Sequence, residues 1–356
     1  MGLLHDRTGR FSPLLTLTLV GLCLPAAWLA FRAAHGDFSG AAPAGPPGLP
    51  PGFADGPGIG GPAAGSGSTP FGPAAAPRFG APDGGPGGDS ARPIYAAIHL
   101  TGDWAFRFLI LSLMITPFRR LLHWPRLVLT RRRIGLAALA YGLGHLGLYA
   151  LDQEFVVSKI ASEIALRIYL AIGLVALLGL IALGATSWDG AVKRMGAQNW
   201  SRLHRLAYLI AGLATLHFFM QTKLDVSEPT LMWGLFLWAM GWRWLQRDGE
   251  RAVSLAWLAG LAVAAALATA LSEAIWYGLA TGVDPLRVLK ANFTTVLGLR
   301  PCWLVLIFGL VAAASSLIGA RRRGAPRPRA AAQDRPSRKE RMVPETGRFR
   351  FCKSLR

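Results

Sequence analysis

Eight stretches of this 356-residue chain are each apolar over roughly 20 residues, the length a helix needs to cross a ~30 Å hydrocarbon core. They run near 12–32, 94–116, 134–152, 164–184, 203–221, 230–246, 252–279 and 301–319. No other feature restricts the fold as much. A backbone inside hydrocarbon must satisfy its own polar groups, and repeated apolar segments of this length do so as helices. The sequence therefore predicts an all-α integral membrane protein with about eight transmembrane helices. Composition agrees: 52% of residues are apolar and only 16% charged, outside the usual range of soluble domains.

The same segmentation divides the chain into an N-terminal anchor (1–35), a Gly/Pro/Ala-rich loop (36–93), a main helical body (94–250), two additional helices (251–320) and a basic tail (321–356). Arg7 and Arg10 ahead of the first run also suit a signal peptide, but its length favours an uncleaved anchor. Residues 36–93 hold too few large apolar side chains to offset the entropy of ordering them, so a disordered extra-cytoplasmic loop is expected. Gly58, Gly60 and Gly61 lack the preceding strand and following helix of a nucleotide-binding turn.

A formal net charge of +19 suggests a nucleic-acid binder until the basic residues are located. Arg119, Arg120, Arg126 and Arg131 to Arg133 lie in one connection, Lys193, Arg194, Arg202 and Arg205 in another, and Arg243, Arg247 and Arg251 in a third. These alternate with connections poorer in Lys and Arg, the pattern of cytoplasmic and external loops. Both termini are accordingly expected in the cytoplasm, with Arg321 to Arg329 against anionic membrane lipid. Nucleic-acid binding fails on this placement.

Cys23, Cys302 and Cys352 form no C-x-x-C pair and no heme-attachment motif, so any heme is held non-covalently. Ionisable or ligating side chains inside a bilayer are costly, and His145, His204 and His217 are the intramembrane histidines. His145 lies 12 residues past Arg133 and His217 12 past Arg205, on spans running the same way, which puts both at one outer depth. Two imidazoles from two helices are what a buried b-type heme needs. His204 lies 13 residues before His217, roughly 20 Å along an ideal helix but about 140° around it. Either that span is distorted or His204 faces a different neighbour. The position opposite it carries Arg131, Arg132 and Arg133, so a second heme would have a single protein imidazole or a ligand from elsewhere. The alternative is that these histidines are structural, hydrogen-bonding across helices.

Gly142, Gly144 and Gly147 beside His145 thin the helix for either a macrocycle or a close helix neighbour. His99, Asp103 and Arg107 recur every fourth residue on one face; they suit heme propionates or a quinone head group, or else an internal Asp103–Arg107 pair. From Asp284 a short surface helix is predicted, capped by Asp284 with Pro285 first, and Leu286, Leu289 and Phe293 toward the membrane.

The runs TGDWAFRFLILSLMITPFRRL (101–121), TRRRIGLAALAYGLGHLGLYALD (130–152), GATSWDGAVKRMGAQNWSRLHRLAYL (184–209) and LHFF (216–219) resemble the heme-binding membrane subunits of the periplasmic methionine-sulfoxide reductase system, MsrQ or YedZ. These belong to the ferric-reductase-like transmembrane superfamily. The resemblance implies a six-helix heme-b core over about 94–250, fed by membrane quinol, with FMN as a further cofactor and a periplasmic molybdopterin reductase as acceptor. It implies that His145, His204 and His217 are the heme-associated histidines. Arg131 stands where oxidases of the superfamily carry a fourth histidine. The long 36–93 loop and the helices after 251 depart from a six-helix subunit.

The function expected is a heme b-binding electron-transfer subunit with no substrate chemistry of its own, taking electrons from quinol or a cytoplasmic reductase. A ferric or other metal reductase acting at the outer face is the alternative. A heme-free transporter or scaffold is a third reading, weakened by the lack of an internal repeat.

Overall fold

The computed structural model describes residues 12–34, 93–222, 225–247, 253–294 and 298–324. The 36–93 loop, save for its last residue, the tail beyond Gly324, His5, His35 and Cys352 lie outside the described residues. Among those described are twelve α-helices, one 3₁₀ turn (Pro125–Leu127) and no strand. The helices are α1 (Pro13–Ala34), α2 (Pro93–Leu121), α3 (Val128–Asp152), α4 (Val157–Leu166), α5 (Ile168–Ala185), α6 (Asp189–Met195), α7 (Ala197–His204), α8 (Leu206–Gln221), α9 (Ser227–Leu245), α10 (Leu255–Thr281), α11 (Pro285–Asn292) and α12 (Pro301–Gly324).

Seven segments are long and apolar enough to cross a membrane: α1, α2, α3 with its 3₁₀ turn, α5, α7 joined to α8, α10 and α12. The chain is a multi-pass membrane protein. The predicted eighth span, α9, fails on apolarity and not on length. Its 19 residues reach roughly 28 Å, but Glu228, Arg243 and four tryptophans dilute its hydropathy. The reason is its position. Pro229, Thr230, Gly234, Phe236, Trp238, Ala239 and Trp242 are all buried, so much of α9 packs against protein.

Trp238 and Trp242 of α9 anchor a core shared with Leu113 of α2, Ile134 of α3, Ala211 of α8, Leu258 of α10 and Val305 of α12. The two helices after 251 are therefore continuous with the main body. Small residues bring them close: a Cβ on Gly309 of α12 would stand 2.5 Å from the Ala262 Cβ of α10, and one on Gly234 of α9 would meet Thr269 and Val305. An ion pair closes this region, where Arg300 donates to the fully buried Glu273 at 2.8 Å.

Among the described residues α1 packs chiefly on α3. Pro25 interrupts its hydrogen-bond ladder, and the Tyr141 hydroxyl enters the gap, donating to Leu22 O and accepting from Ala26 N, each at 2.9 Å. The predicted surface helix forms as α11, with Asp284 accepting from the Leu286 amide at 3.0 Å. One stripe turns toward the protein and the expected membrane-facing one stays outside. Val288 and Asn292, one turn apart, are buried, whereas Leu286 and Phe293 are exposed. Packing against α10 and α12 decided which stripe turned inward.

Candidate functional site

α3 and α8 each deliver one histidine to the same place. The His145 and His217 ring centroids are 6.4 Å apart, with planes at 80°. Each ring is fixed by a helix other than its own. His145 Nδ1 lies 2.8 Å from Ile98 O of α2, and His217 Nδ1 lies 2.8 Å from Tyr169 O of α5. A carbonyl only accepts, so both Nδ1 atoms carry the proton, and both Nε2 atoms keep a free lone pair. That is the tautomer a metal ligand requires, with the orienting hydrogen bond that ligating histidines usually make.

A glycine makes each of these bonds possible. Gly102 stands four residues after Ile98, and Gly173 four residues after Tyr169, so each glycine is one turn from the acceptor carbonyl on the same helix face. The imidazoles lie across these bare positions. A Cβ on Gly102 would be 2.9 Å from His145 Nδ1, and one on Gly173 2.8 Å from both Nδ1 and Cε1 of His217. The site is thus built twice from the same parts: a histidine on one helix, and a carbonyl and a glycine on its neighbour.

The separation fits a shared iron. With ring centroids 6.4 Å apart and both Nε2 atoms left as acceptors, His145 and His217 are the residues that would hold a heme iron here. Of the glycines near His145 in sequence, Gly144 and Gly147 have nothing within 4 Å, and only Gly142 packs, against Leu177 Cδ1 at 3.1 Å.

His204 is placed elsewhere. The helix that sequence treats as one span is broken at Arg205 into α7 and α8, with three-residue hydrogen bonds from the Arg205 and Tyr208 amides. A distortion of this span is one of the two readings that the 13-residue spacing left open. The His204 ring stacks on Trp200 at 3.9 Å, and its Nδ1 reaches Trp200 O of its own helix at 3.1 Å. Its Nε2 is 3.4 Å from Ser187 Oγ, whose proton goes to Leu183 O at 2.6 Å. No second imidazole is nearby. The neighbouring charges are cations: Arg131 of α3 acts on His204 and on Arg243 of α9. Arg243 donates to Ala239 O, Leu113 O and the Tyr208 hydroxyl at 2.8, 2.7 and 3.2 Å. Among the described residues no carboxylate pairs with Arg131 or Arg243.

The stripe on α2 also resolves. Arg107 pairs with Glu228 at the start of α9, its Nε donating at 2.7 Å, and not with Asp103 one turn away. Asp103 lies in the field of both. His99 meets the Tyr95 ring edge-on at 4.4 Å. Beside Glu228, outside the spans, Asp225 accepts from the Ser227 amide at 3.0 Å, and hydrogen bonds from the Ser227 side chain and backbone hold its carboxyl below the usual range. Glu228 escaped the sequence reading because the run Ser227-Glu228-Pro229 has the composition of a connection. Gly102, Gly173 and the two carbonyls escaped it because their role depends on which helices are neighbours.

The comparisons with known proteins agree with this architecture. Residues 101–215 match the family described as ferric reductase like transmembrane component. The chain is 40% identical over 156 residues to a protein-methionine-sulfoxide reductase heme-binding subunit MsrQ of Polaromonas naphthalenivorans, covering 43% of this chain and 71% of that one. It is 40% identical over 166 residues to the MsrQ subunit of Caulobacter vibrioides, covering 46% and 78%, and 36% identical over 171 residues to that of Herminiimonas arsenicoxydans, again 46% and 78%. No solved structure matches the chain. A ferric-reductase-like body with this identity over most of the length of such subunits has one family assignment: the chain belongs to the MsrQ family of heme-binding membrane subunits.

Proposed function

We propose that this protein carries electrons through the membrane on one heme b held by His145 and His217, delivering them to an acceptor outside the inner membrane. The observation that supports this most directly is the matched pair of imidazoles, each presenting Nε2 at 6.4 Å centroid separation. Bound there, the heme supplies a one-electron couple that no side chain offers. The chain's own residues do the rest. Ile98 O and Tyr169 O fix the tautomers, and Gly102 and Gly173 let the rings lie flat on α2 and α5. The basic ends of the helices face the cytoplasm in this reading, and, with the 19-residue α9 completing an eighth crossing, both termini lie there.

The relatives are named as heme-binding subunits of a methionine-sulfoxide reductase, so a periplasmic reductase of that kind, carrying a molybdopterin, is the proposed partner. Quinol is the proposed donor. FMN is proposed at the basic end, where Arg131 and Arg243 have no carboxylate to neutralise them and suit a phosphate. The test of the central claim is spectroscopic. Purified from cells with ample heme, the protein shows dithionite-reducible b-type Soret and α bands; a colourless preparation refutes the assignment.

A further inference from the structure

Within the matched family domain, the described residues hold one buried side-chain hydrogen-bond donor that meets no acceptor, the hydroxyl of Tyr149 on α3. Other buried hydroxyls of the domain are engaged. Thr101, Ser112, Thr130 and Thr215 each donate to a carbonyl three or four residues back in the chain. A phenol stands too far from its own backbone for that, so its acceptor comes from outside the helix. Leaving a buried O–H unpaired is costly, and the orphan marks a place where an acceptor belongs.

Its position relates it to the imidazole pair. Tyr149 lies four residues past His145 on the same face of α3, roughly 6 Å farther from the basic connections. Tyr141, four residues before His145, is already committed to α1, donating to Leu22 O and accepting from Ala26 N. The charged and phenolic groups around Tyr149 are Glu163 of α4, Arg167 and Tyr169 at the start of α5, and Asp152 of its own helix. They have partners. Arg167 Nε bridges Glu163 at 2.7 Å, Arg167 Nη1 donates to the Tyr169 hydroxyl at 3.2 Å, and Asp152 accepts from the Gln153 amide group at 2.8 Å. Tyr169 belongs to the other half of the pair, since its carbonyl holds His217 Nδ1 and its ring lies 6.4 Å from that imidazole. Accepting from Arg167 leaves the Tyr169 hydroxyl its own proton to donate. This end of the pair therefore offers two phenolic donors and a guanidinium whose charge Glu163 balances. Toward the basic end the surroundings are apolar, where Phe106 of α2 meets Phe218 of α8 edge-on at 5.8 Å.

We propose that Tyr149 donates a hydrogen bond to a heme propionate, and that Tyr169 and Arg167 complete the propionate seat. The assignment rests on the heme reading above. A b-type heme carries two carboxylates on its rim, and an unpaired carboxylate among apolar side chains is expensive, so they turn to the end where donors wait. A bond from a phenol to a charged acceptor is among the stronger kinds. It also offsets negative charge near the iron, so its loss favours the ferric state.

The test combines resonance Raman spectroscopy with a potentiometric titration on the full-length protein, purified in detergent with its heme. Tyr149→Phe is expected to shift the propionate bending mode and to lower the midpoint potential while keeping the heme ratio and the low-spin bis-histidine bands. Tyr169→Phe keeps the carbonyl that fixes His217 and moves mode and potential in the same direction. Tyr141→Phe, which removes a hydroxyl that serves α1, leaves the mode at its wild-type position. A tyrosine that only packs does not move a propionate mode. If neither Tyr149→Phe nor Tyr169→Phe moves it, or if Tyr141→Phe moves it equally, the proposal is overturned. A wild-type protein without a b-type spectrum sinks the heme reading and this seat with it, whereas a heme-loaded wild type whose variants show an unmoved mode sinks the seat alone.

Discussion

His145 and His217 are oriented by helices other than their own, whereas His204 is oriented by the helix that carries it. The first pair reach across to Ile98 O and Tyr169 O, so their rings stand between helices and meet at one point. His204 bonds Trp200 O one turn back and stacks on the same tryptophan, so its ring stays with α7. All three have Nδ1 on a backbone carbonyl, which leaves Nε2 of His145 and His217 as an acceptor, whereas His204 also meets the Leu183 backbone. Tautomer alone does not make a ligand. What distinguishes the two ends of the bundle is whether a neighbouring helix supplies a glycine for the ring to lie on and a second imidazole to face it.

The comparison breaks most plainly at the ligands themselves. His145→Ala or His217→Ala is expected to remove most of the b-type absorbance per polypeptide, measured as the pyridine hemochrome ratio, whereas His204→Ala retains the larger part of it. Equal loss in all three variants would falsify the asymmetry. Equal retention would remove iron ligation from all of them and leave cross-helix structural histidines.

The glycines sharpen it further. Gly102→Ala and Gly173→Ala place a methyl 2.9 and 2.8 Å from the imidazole Nδ1, closer than such contacts allow. Overpacking of this kind costs about 1–3 kcal/mol. Taken entirely from heme binding, it lowers affinity roughly 5- to 150-fold at 1.4 kcal/mol per tenfold. Heme retention on dilution, together with a shifted α band, reads this effect out. Gly144→Ala and Gly147→Ala meet nothing within 4 Å and serve as the contrast. If those two lose heme instead, the macrocycle lies against α3 where sequence alone would place it, and the α2 and α5 cradles are incidental.

Much of this fold is legible from sequence because membrane helices obey a length and hydropathy rule that needs no knowledge of neighbours. The ends of α1, α5, α8 and α10 fall within a few residues of the apolar runs. The shared depth of His145 and His217 follows from counting residues past the basic ends of their helices. What stayed hidden depends on pairing. Gly102 and Gly173 look like any small residue in a span until α2 is known to pack on α3, and α5 on α8. Glu228 reads as a loop acid until α9 is seen to begin before it and to face Arg107. The inward stripe of α11, Val288 and Asn292, depends on α10 and α12, which the amphipathic pattern of the helix by itself does not reveal.

The smallest effect is expected from supplying the imidazole that the basic end lacks. Arg131→His puts a histidine at the position facing His204 and removes one of two unneutralised cations. If a partner were all that was missing, heme per polypeptide would rise. The geometry argues otherwise, because His204 Nδ1 and the Trp200 stack keep the ring on α7, and Arg243 still crosses from α9 to Leu113 O and Tyr208. Among the described residues no glycine lies against the His204 ring as Gly102 and Gly173 do against the other two. The heme ratio of Arg131→His is therefore expected to stay at the wild-type value. A reproducible increase, abolished by adding His204→Ala, would show that a facing imidazole is sufficient and that the cradle is dispensable.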